Sequence, residues 1–408
     1  MVISENLDKT KLTIVENYDQ VNEKINDIEN KLKDLSFVVK KEDKDGCNII
    51  YARNKDSKNH IIFQSGLHGI EGYVGFEMIY HLTMNMLEKI FNLKSAEKDN
   101  SQNMFDITYI INANPFGVKN KRRVNENNVD LNRNFLLKDE DFINIKDDYY
   151  LVDEVINPKK KIKDFNIAYI KTIFNILRLV VKIGTGKFKH VLLSGQRYNT
   201  NGAYYMGDGF QKQTIFLKNL YQNLFSEKGF ENTIFIDLHT GYGPSYQMSV
   251  VNSSFMKLGK EDESVKIDKN KGSKTKNDNI KSDDIVRNLM QNYPLVVQSN
   301  TDSFYEMKGD LIDYIYKVYP SIKYATSFEF GTFGDSVLSS LKSVVAIVLE
   351  NQYFYNNLNG KPVNEKELDR IGQKVLSFYE KAYFPKNLKW WKKAKEDFEM
   401  AINCIYST

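Results

Sequence analysis

The sequence predicts an α/β fold, in which helices flank a mixed, mostly parallel, twisted sheet. Short runs rich in Ile, Val, Phe and Tyr alternate with longer segments of helical periodicity from Cys47 onward. With 408 residues, of which 41% are hydrophobic, the chain can form one large core. No linker rich in Pro, Gly or Ser divides it. We therefore expect a single domain with insertions.

Seven short apolar runs are the predicted strands, because buried strands of a parallel sheet are continuously apolar. They span residues 48–52, 60–65, 107–113, 190–194, 233–238, 295–299 and 324–330. Helical periodicity marks the longer segments 73–93, 211–228 and 336–357. The alternation of the two patterns favours strands that are joined through helices.

The outer parts of the chain differ in composition from this central pattern. Residues 1–45 are predicted as an N-terminal helical extension, since apolar residues recur there at helical spacing. Residues 46–385 form the predicted main domain, with insertions near 138–189 and 257–284, and residues 386–408 a C-terminal helix packed on it. The second insertion has almost no apolar residues, which is typical of a surface loop. Its mixed charges and lack of aromatic residues argue against nucleic-acid binding.

Composition limits the possible classes of protein. The 57 basic and 53 acidic residues nearly cancel, giving a net charge of +4, so no nucleic-acid partner is indicated. Only Cys47 and Cys404 are present, which excludes a disulfide scaffold and a cysteine-based metal site and favours a cytoplasmic protein. We find no signal peptide and no apolar run of about 20 residues, so we expect no membrane partner. Oligomeric state stays open.

The first candidate for chemistry is the sequence S-G-L-H-G-I-E-G at residues 65–72, between a predicted strand and a predicted helix. On a helical turn, residues three apart share a face, so His68 and Glu71 could bind one metal ion. A His-x-x-Glu pair alone is also common on surfaces. The neighbouring glycines permit a sharp turn from strand to helix.

The second candidate, His239, ends the predicted strand at 233–238, and ligands of α/β sheets bind at the carboxyl ends of strands. With His68 and Glu71 it would complete a His₂Glu zinc set, although a histidine that only caps a strand is the plainer alternative. The other three histidines, His60, His81 and His190, fall where packing or surface roles suffice.

Two further stretches place charged side chains next to predicted strands. Residues 112–135 contain Arg123, Asn132 and Arg133, which could polarise a carbonyl oxygen and hold a carboxylate, although surface arginines often bind nothing specific. Glu329 lies inside the apolar run 324–330, where burial would raise the pKa of its carboxyl and a nearby dication would lower it. It could equally face solvent between two buried phenylalanines.

Taken in order, H-x-x-E, R-V-N, D-x-N-R-N-F, a strand-ending His and a late-strand Glu resemble the zinc metallocarboxypeptidases, the carboxypeptidase A-like family. The glycine-rich sequence around these motifs is most similar to a poorly characterised bacterial branch of this family, which has long been called a domain of unknown function. The resemblance covers residues 65–334 and implies a zinc carboxypeptidase-like, phosphorylase/hydrolase-like fold. It also implies that residues 46–385 form the catalytic domain.

The resemblance implies a role for each matching residue. His68, Glu71 and His239 correspond to the ligands of one Zn²⁺, and Glu329 to the base that takes a proton from water. Arg123 corresponds to the arginine that stabilises the oxyanion, with the adjacent Arg122 as an alternative one position away. Asn132 and Arg133 correspond to the pair that binds the terminal carboxylate of the substrate. Asp130 corresponds to the carboxylate that orients a zinc-bound imidazole.

The function implied is hydrolysis of an amide bond next to a free carboxylate, in a small peptide. Acylases that cleave N-acyl amino acids share this logic, so a deacylase of the aspartoacylase kind stays an alternative, and a non-catalytic binding protein is a third. The tyrosine that covers the substrate in the family has three competing matches here, Tyr305, Tyr314 and Tyr316. Side-chain preference cannot be assigned from the motifs.

Overall fold

The computed structural model of the protein describes residues 14–55, 57–90, 105–145, 147–256, 282–298 and 307–406. Its centre is an eight-stranded sheet in the order β1-β2-β4-β3-β5-β8-β6-β7. The strands are β1 Val38–Lys44, β2 Cys47–Arg53, β3 Asn59–Ser65, β4 Phe105–Ile111, β5 Thr233–Thr240, β6 Met248–Asn252, β7 Val296–Gln298 and β8 Tyr324–Phe330.

Helices surround this sheet. They are α1 Tyr18–Asp34, α2 Gly72–His81, α3 Leu87–Ile90, α4 Pro115–Lys119, α5 Glu140–Ile143, α6 Asp153–Ile156, α7 Phe165–Ile183, α8 Thr185–Leu193, α9 Lys212–Lys228, α10 Ser282–Asn292, α11 Leu311–Val318, α12 Val337–Asn356, α13 Arg370–Tyr383 and α14 Leu388–Tyr406. None of the helices in the described segments is both long and apolar enough to cross a bilayer. The cytoplasmic location stays a prediction.

The four central strands, β4, β3, β5 and β8, run parallel. Each of these strands has a core of Ile, Phe, Leu, Ala or Tyr residues that are almost fully buried, because helices cover both faces. Antiparallel pairs flank the parallel centre, β1-β2-β4 on one side and β8-β6 on the other. The predicted fold class, a mixed and mostly parallel sheet flanked by helices, is confirmed.

Two local predictions are wrong. Residues 190–194 end helix α8 and do not form a strand, because Phe188, Val191 and Leu192 are buried at helical spacing against the core. Within the predicted helical extension, residues 38–44 form the edge strand β1. This strand is lysine-rich and mostly exposed, as suits the edge of a sheet, so its sequence carries no apolar alternation.

The predicted insertions differ in how far the structure describes them. Residues 138–189 contain the helices α5 to α7 and the start of α8. Most of the predicted loop 257–284 lies outside the described residues, and its end begins helix α10. The C-terminal helix α14 packs on the sheet through Phe398, whose ring lies near those of Phe63 and Phe328.

Candidate metal centre

The carboxyl ends of the parallel strands bring the predicted metal ligands together. His68 follows β3, Glu71 lies in the 3₁₀ turn Gly69–Glu71, and His239 is near the end of β5. Because β3 and β5 are parallel neighbours, both strands end at the same edge of the sheet. All three side chains are buried.

The turn that carries Glu71 requires glycine. A β-carbon on Gly69 would lie 2.0 Å from the backbone carbon of Gly117 in α4, far inside van der Waals contact. Gly66 has a φ of +78°, a left-handed conformation that glycine adopts without strain. The chain can therefore turn sharply from β3 into the site and pass close to α4.

The ligand atoms of the three residues converge on one place. Nδ1 of His68 lies 3.1 Å from Oε1 of Glu71 and 3.1 Å from Nδ1 of His239, and the latter lies 3.2 Å from Oε2 of Glu71. Within the described part of the chain, these are the three residues whose geometry suits a shared metal ion. Two imidazoles and one carboxylate form a donor set typical of a catalytic Zn²⁺ site.

A carboxylate behind each imidazole fixes which nitrogen faces the centre. Asp130 accepts a hydrogen bond from Nε2 of His68 at 3.1 Å, and Asp237 accepts one from Nε2 of His239 at 2.7 Å. With Nε2 protonated on both rings, the two Nδ1 atoms present lone pairs to each other. Such an arrangement is unfavourable unless a cation or a proton lies between the nitrogens, so the residues fit a metal ion.

The charge state of the group follows from its surroundings. Burial disfavours the charged form of Glu71, but the two imidazoles outweigh it and hold the pKa of this carboxyl below its usual value. Burial also opposes protonation of His239, yet Asp237 and Glu71 raise the pKa of His239 well above normal. The backbone N–H of Thr240 donates to Oε2 of Glu71 at 2.9 Å. This group therefore favours a positive charge between the two imidazoles.

The structure separates the two neighbouring arginines. Arg123 donates to Asp130 at 2.8 Å and to Glu71 at 3.2 Å, so its guanidinium borders the candidate metal centre. Arg122 points the other way, donates to Glu350 on α12 at 2.8 Å and lies 3.6 Å from the Phe354 ring centre. Of the two, Arg123 is the one that contacts a candidate metal ligand, and its role in catalysis stays a prediction.

Asn132 and Arg133 follow Asp130 in the chain, and both make hydrogen bonds within the protein. The amide of Asn132 donates to Asp310 at 3.1 Å and accepts from the backbone N–H of Leu311 at 2.8 Å, which fixes the start of α11. Arg133 donates to the backbone oxygens of Leu193 and Asn132. Their predicted contact with a substrate carboxylate stays a prediction.

Glu329 is the register partner of His239 on the neighbouring strand β8. Burial raises the pKa of its carboxyl; His239 lowers it and Glu71 raises it, with a net value of about 8. Its Oε2 atom is buried and has no hydrogen-bond partner among the described residues. A buried carboxylate oxygen without a partner, beside the metal-ligand group, is available to a water or a substrate.

Sequence reasoning missed Asp237 and Tyr204. Asp237 could have been found, because it lies two residues before His239 and therefore on the same face of β5. Tyr204 has a φ of +59°, and its ring lies 5.5 Å from the Arg123 guanidinium and 5.8 Å from that of Arg133. It comes from the loop after α8, and no sequence pattern marks it.

The structure describes two of the three predicted matches for the tyrosine that covers the substrate. Tyr305 lies outside the described residues. Tyr314 and Tyr316 are buried on α11, and the hydroxyl of Tyr316 is bonded to the backbone of Ala325. In this arrangement, Tyr316 has a packing role.

Comparisons with solved structures find proteins of low sequence identity. Bovine thrombin-activatable fibrinolysis inhibitor, in complex with a tick carboxypeptidase inhibitor, is 14% identical, with 96% of this chain and 97% of that chain covered and a TM-score of 0.44. Succinylglutamate desuccinylase from Chromobacterium violaceum is 11% identical, with 85% and 77% covered and a TM-score of 0.35. The corresponding protein from Vibrio parahaemolyticus is 14% identical, with 83% and 87% covered and a TM-score of 0.35.

A comparison with curated proteins finds no match. The family model described as "Protein of unknown function (DUF2817)" matches residues 16–396, which is most of the chain. The matched range contains His68, Glu71, His239 and Glu329. This chain belongs to the DUF2817 family.

Proposed function

We propose that the protein is a zinc-dependent hydrolase that cleaves an amide bond next to a free carboxylate, as a metallocarboxypeptidase does. The observation that carries the proposal is the convergence of His68, Glu71 and His239 beside Glu329, whose Oε2 atom is buried. Each imidazole is held by its own carboxylate, which is typical of catalytic metal sites.

His68, Glu71 and His239 would hold one Zn²⁺ through imidazole nitrogen and carboxylate oxygen. When bound, the ion would supply Lewis-acid polarisation of a carbonyl and make water acidic enough to react near neutral pH. A His₂Glu set has three protein ligands, which suits a catalytic rather than a structural site. Asp130 and Asp237 accept hydrogen bonds from the Nε2 atoms and so orient both Nδ1 atoms toward the ion.

Glu329 acts as the general base and then as the general acid. Its carboxylate takes a proton from the water whose oxygen attacks the amide carbon, and it delivers that proton to the leaving nitrogen as the C–N bond breaks. The products are a carboxylic acid and an amine. A base with a raised pKa holds the proton well enough to transfer it near neutral pH.

Arg123 would stabilise the negative charge that develops on the carbonyl oxygen. Its guanidinium is fixed by Asp130 and Glu71 before substrate arrives, so little reorganisation is needed during the reaction. The guanidinium groups of Arg133 and Arg123 both lie near the ring of Tyr204. Together with Asn132, Arg133 would bind the free carboxylate of the substrate. We infer that the scissile amide lies between these two cationic positions.

Metal analysis and hydrolysis assays of the wild type and Glu329→Gln test the proposal. We expect one bound zinc per chain in both proteins and a rate that is about 10²- to 10⁴-fold lower in the variant. Glu231→Gln, an exposed carboxyl on the surface, is the matched control and should react like the wild type. A folded wild type that binds no metal, or full activity in Glu329→Gln, would contradict the proposal.

The substrate panel separates the remaining alternatives. Short peptides and N-acyl amino acids should both be included, because a deacylase would use the same residues. Hydrolysis confined to N-acyl amino acids would favour the deacylase. Zinc binding without hydrolysis of any member of the panel would favour a binding protein.

A further inference from the structure

Helix α7 exposes a continuous apolar stripe to solvent. Ile167, Ile170, Phe174, Leu177 and Val181 are 69%, 66%, 64%, 44% and 87% exposed. Their spacing alternates between three and four residues, so they lie on one face of the helix. Five of the 20 large apolar side chains that are exposed in the described part of the chain lie on this one helix.

The stripe does not belong to the core-facing side of α7. That side is formed by Thr172, Ile176 and Leu179, which are buried. At 100° per residue, the two sets point in nearly opposite directions. Exposed apolar side chains in one contiguous stripe are unusual on a soluble surface and mark a site of interaction.

Basic residues accompany the stripe. Lys171 and Arg178 each follow a stripe residue by four positions and therefore border it, and Lys182 follows Arg178 by four. All three are exposed, and none of them forms an ion pair with another described residue. Helix α7 itself, residues 165–183, contains neither Asp nor Glu.

Along the sequence, positive charge is concentrated around this helix, although Lys187 pairs with Asp148 at 3.6 Å. Residues 159–189 contain nine basic residues and one acidic residue, a net charge of +8, whereas the whole chain carries +4. The rest of the chain is therefore net negative, at −4. The stripe lies in the middle of the most basic part of the sequence.

This charge distribution indicates the partner. A second copy of α7 packed antiparallel on the stripe would place Lys171 and Arg178 opposite the same cations of its partner, with no acidic residue on the helix to compensate. An anionic surface removes that repulsion. A wide field of lysines, rather than a few matched pairs, suits lipid headgroups, which are mobile and closely spaced.

We propose that the outer face of α7 binds the surface of an anionic lipid bilayer. The stripe would insert at the boundary between headgroups and acyl chains, with the helix parallel to the membrane plane, while the flanking lysines and arginine contact anionic headgroups. The sequence predicts no membrane partner because it lacks a spanning segment, but a helix that lies on the membrane surface needs none. The proposal is independent of the zinc chemistry.

Co-sedimentation of the purified full-length protein with vesicles tests it. We expect binding to vesicles of phosphatidylcholine with 30% phosphatidylserine, weak binding to phosphatidylcholine alone, and loss of binding as salt is raised. Phe174→Ser with Val181→Ser should weaken binding about tenfold or more. Lys171→Glu with Arg178→Glu should weaken it to a similar extent, since each basic residue contributes to the attraction.

Matched variants elsewhere control for general stickiness and charge. Val337→Ser with Leu338→Ser removes exposed apolar side chains from α12. Lys40→Glu with Lys44→Glu makes the same change of charge on the edge strand β1. Both variants should bind like the wild type. All substituted residues are exposed, and thermal melts would show that folding is unchanged. No binding by the wild type, or undiminished binding by the stripe variant, would overturn the proposal. The proposal would also be overturned if the wild type bound no vesicles but formed a dimer in sedimentation velocity, and if the stripe variant were monomeric.

Discussion

Nε2 of His239 lies 2.7 Å from the carboxylate of Asp237, two residues earlier on the same strand. The other oxygen of Asp237 accepts a hydrogen bond from Gln64 on the neighbouring strand at 3.1 Å, and Gln64 in turn accepts one from the hydroxyl of Tyr221 on α9. The metal-ligand imidazole is thus held by a buried chain of polar groups that ends in the helix layer.

Replacing Asp237 should weaken metal binding more than folding. We expect Asp237→Asn to lower zinc affinity about 10- to 100-fold, because a neutral amide fixes the imidazole less firmly and makes it a poorer ligand. Competition with a chromogenic chelator measures this. Asp45→Asn, at an exposed turn with a φ of +53° that asparagine also tolerates, is the control. Equal affinity in Asp237→Asn and the wild type would contradict the assigned role.

The two neighbouring arginines should separate catalysis from stability. Arg123→Lys should retain zinc and lower the rate per folded molecule about 10²- to 10³-fold, because lysine cannot keep the fork to Asp130 and Glu71. Arg122→Lys should keep the rate and lower the free energy of unfolding by about 1–3 kcal/mol, since it loses contacts to Glu350 and the Phe354 ring. Steady-state kinetics and denaturant unfolding together test both. The reverse pattern would show that Arg122 holds the catalytic position.

A methyl group at Gly69 should disrupt the approach of the metal-ligand turn to α4. Gly69→Ala places a carbon 2.0 Å from the Gly117 backbone, so we expect a loss of at least about 2 kcal/mol in the free energy of unfolding and weaker zinc binding. Gly186→Ala in helix α8 is the matched control, because its new carbon would meet nothing within 4 Å. That variant should be as stable as the wild type or slightly more so. Unchanged stability in Gly69→Ala would mean that α4 moves freely.

His60 should contribute to loss of stability in acid. It is buried on β3 with its Nε2 beside Thr108, and burial, helped by Arg53, lowers the pKa of His60 to about 3. The unfolded chain binds a proton near pH 6.5 and the folded chain only near pH 3, so stability falls as the pH drops between these values. The share of His60 in that loss is about 2 kcal/mol by pH 5. Urea unfolding at pH 7 and pH 5 measures it, and His60→Gln should show a smaller difference between the two pH values than the wild type does.

Local sequence patterns carried much of the fold. The central strands β3, β5 and β8 were recognisable because burial on both faces makes them continuously apolar. Strand β1 was not, because an exposed edge strand gains its hydrogen bonds from β2 and needs no apolar residues. Helix α8 was mistaken for a strand, since an apolar run of five residues fits either element until its packing partners are known.

By itself, the sequence determined which residue types were available for the site and where along the chain they stood relative to predicted strand ends. With two cysteines and five histidines, it restricted any zinc site to histidine and carboxylate ligands. Only the tertiary structure decided which groups meet: that Arg123 rather than Arg122 borders the ligands, that Asp237 contacts His239, and that Tyr204 lies near two guanidinium groups. It also showed that one face of α7 is left exposed. These relations depend on strand register and on packing between elements distant in the chain, and neither is written in local spacing.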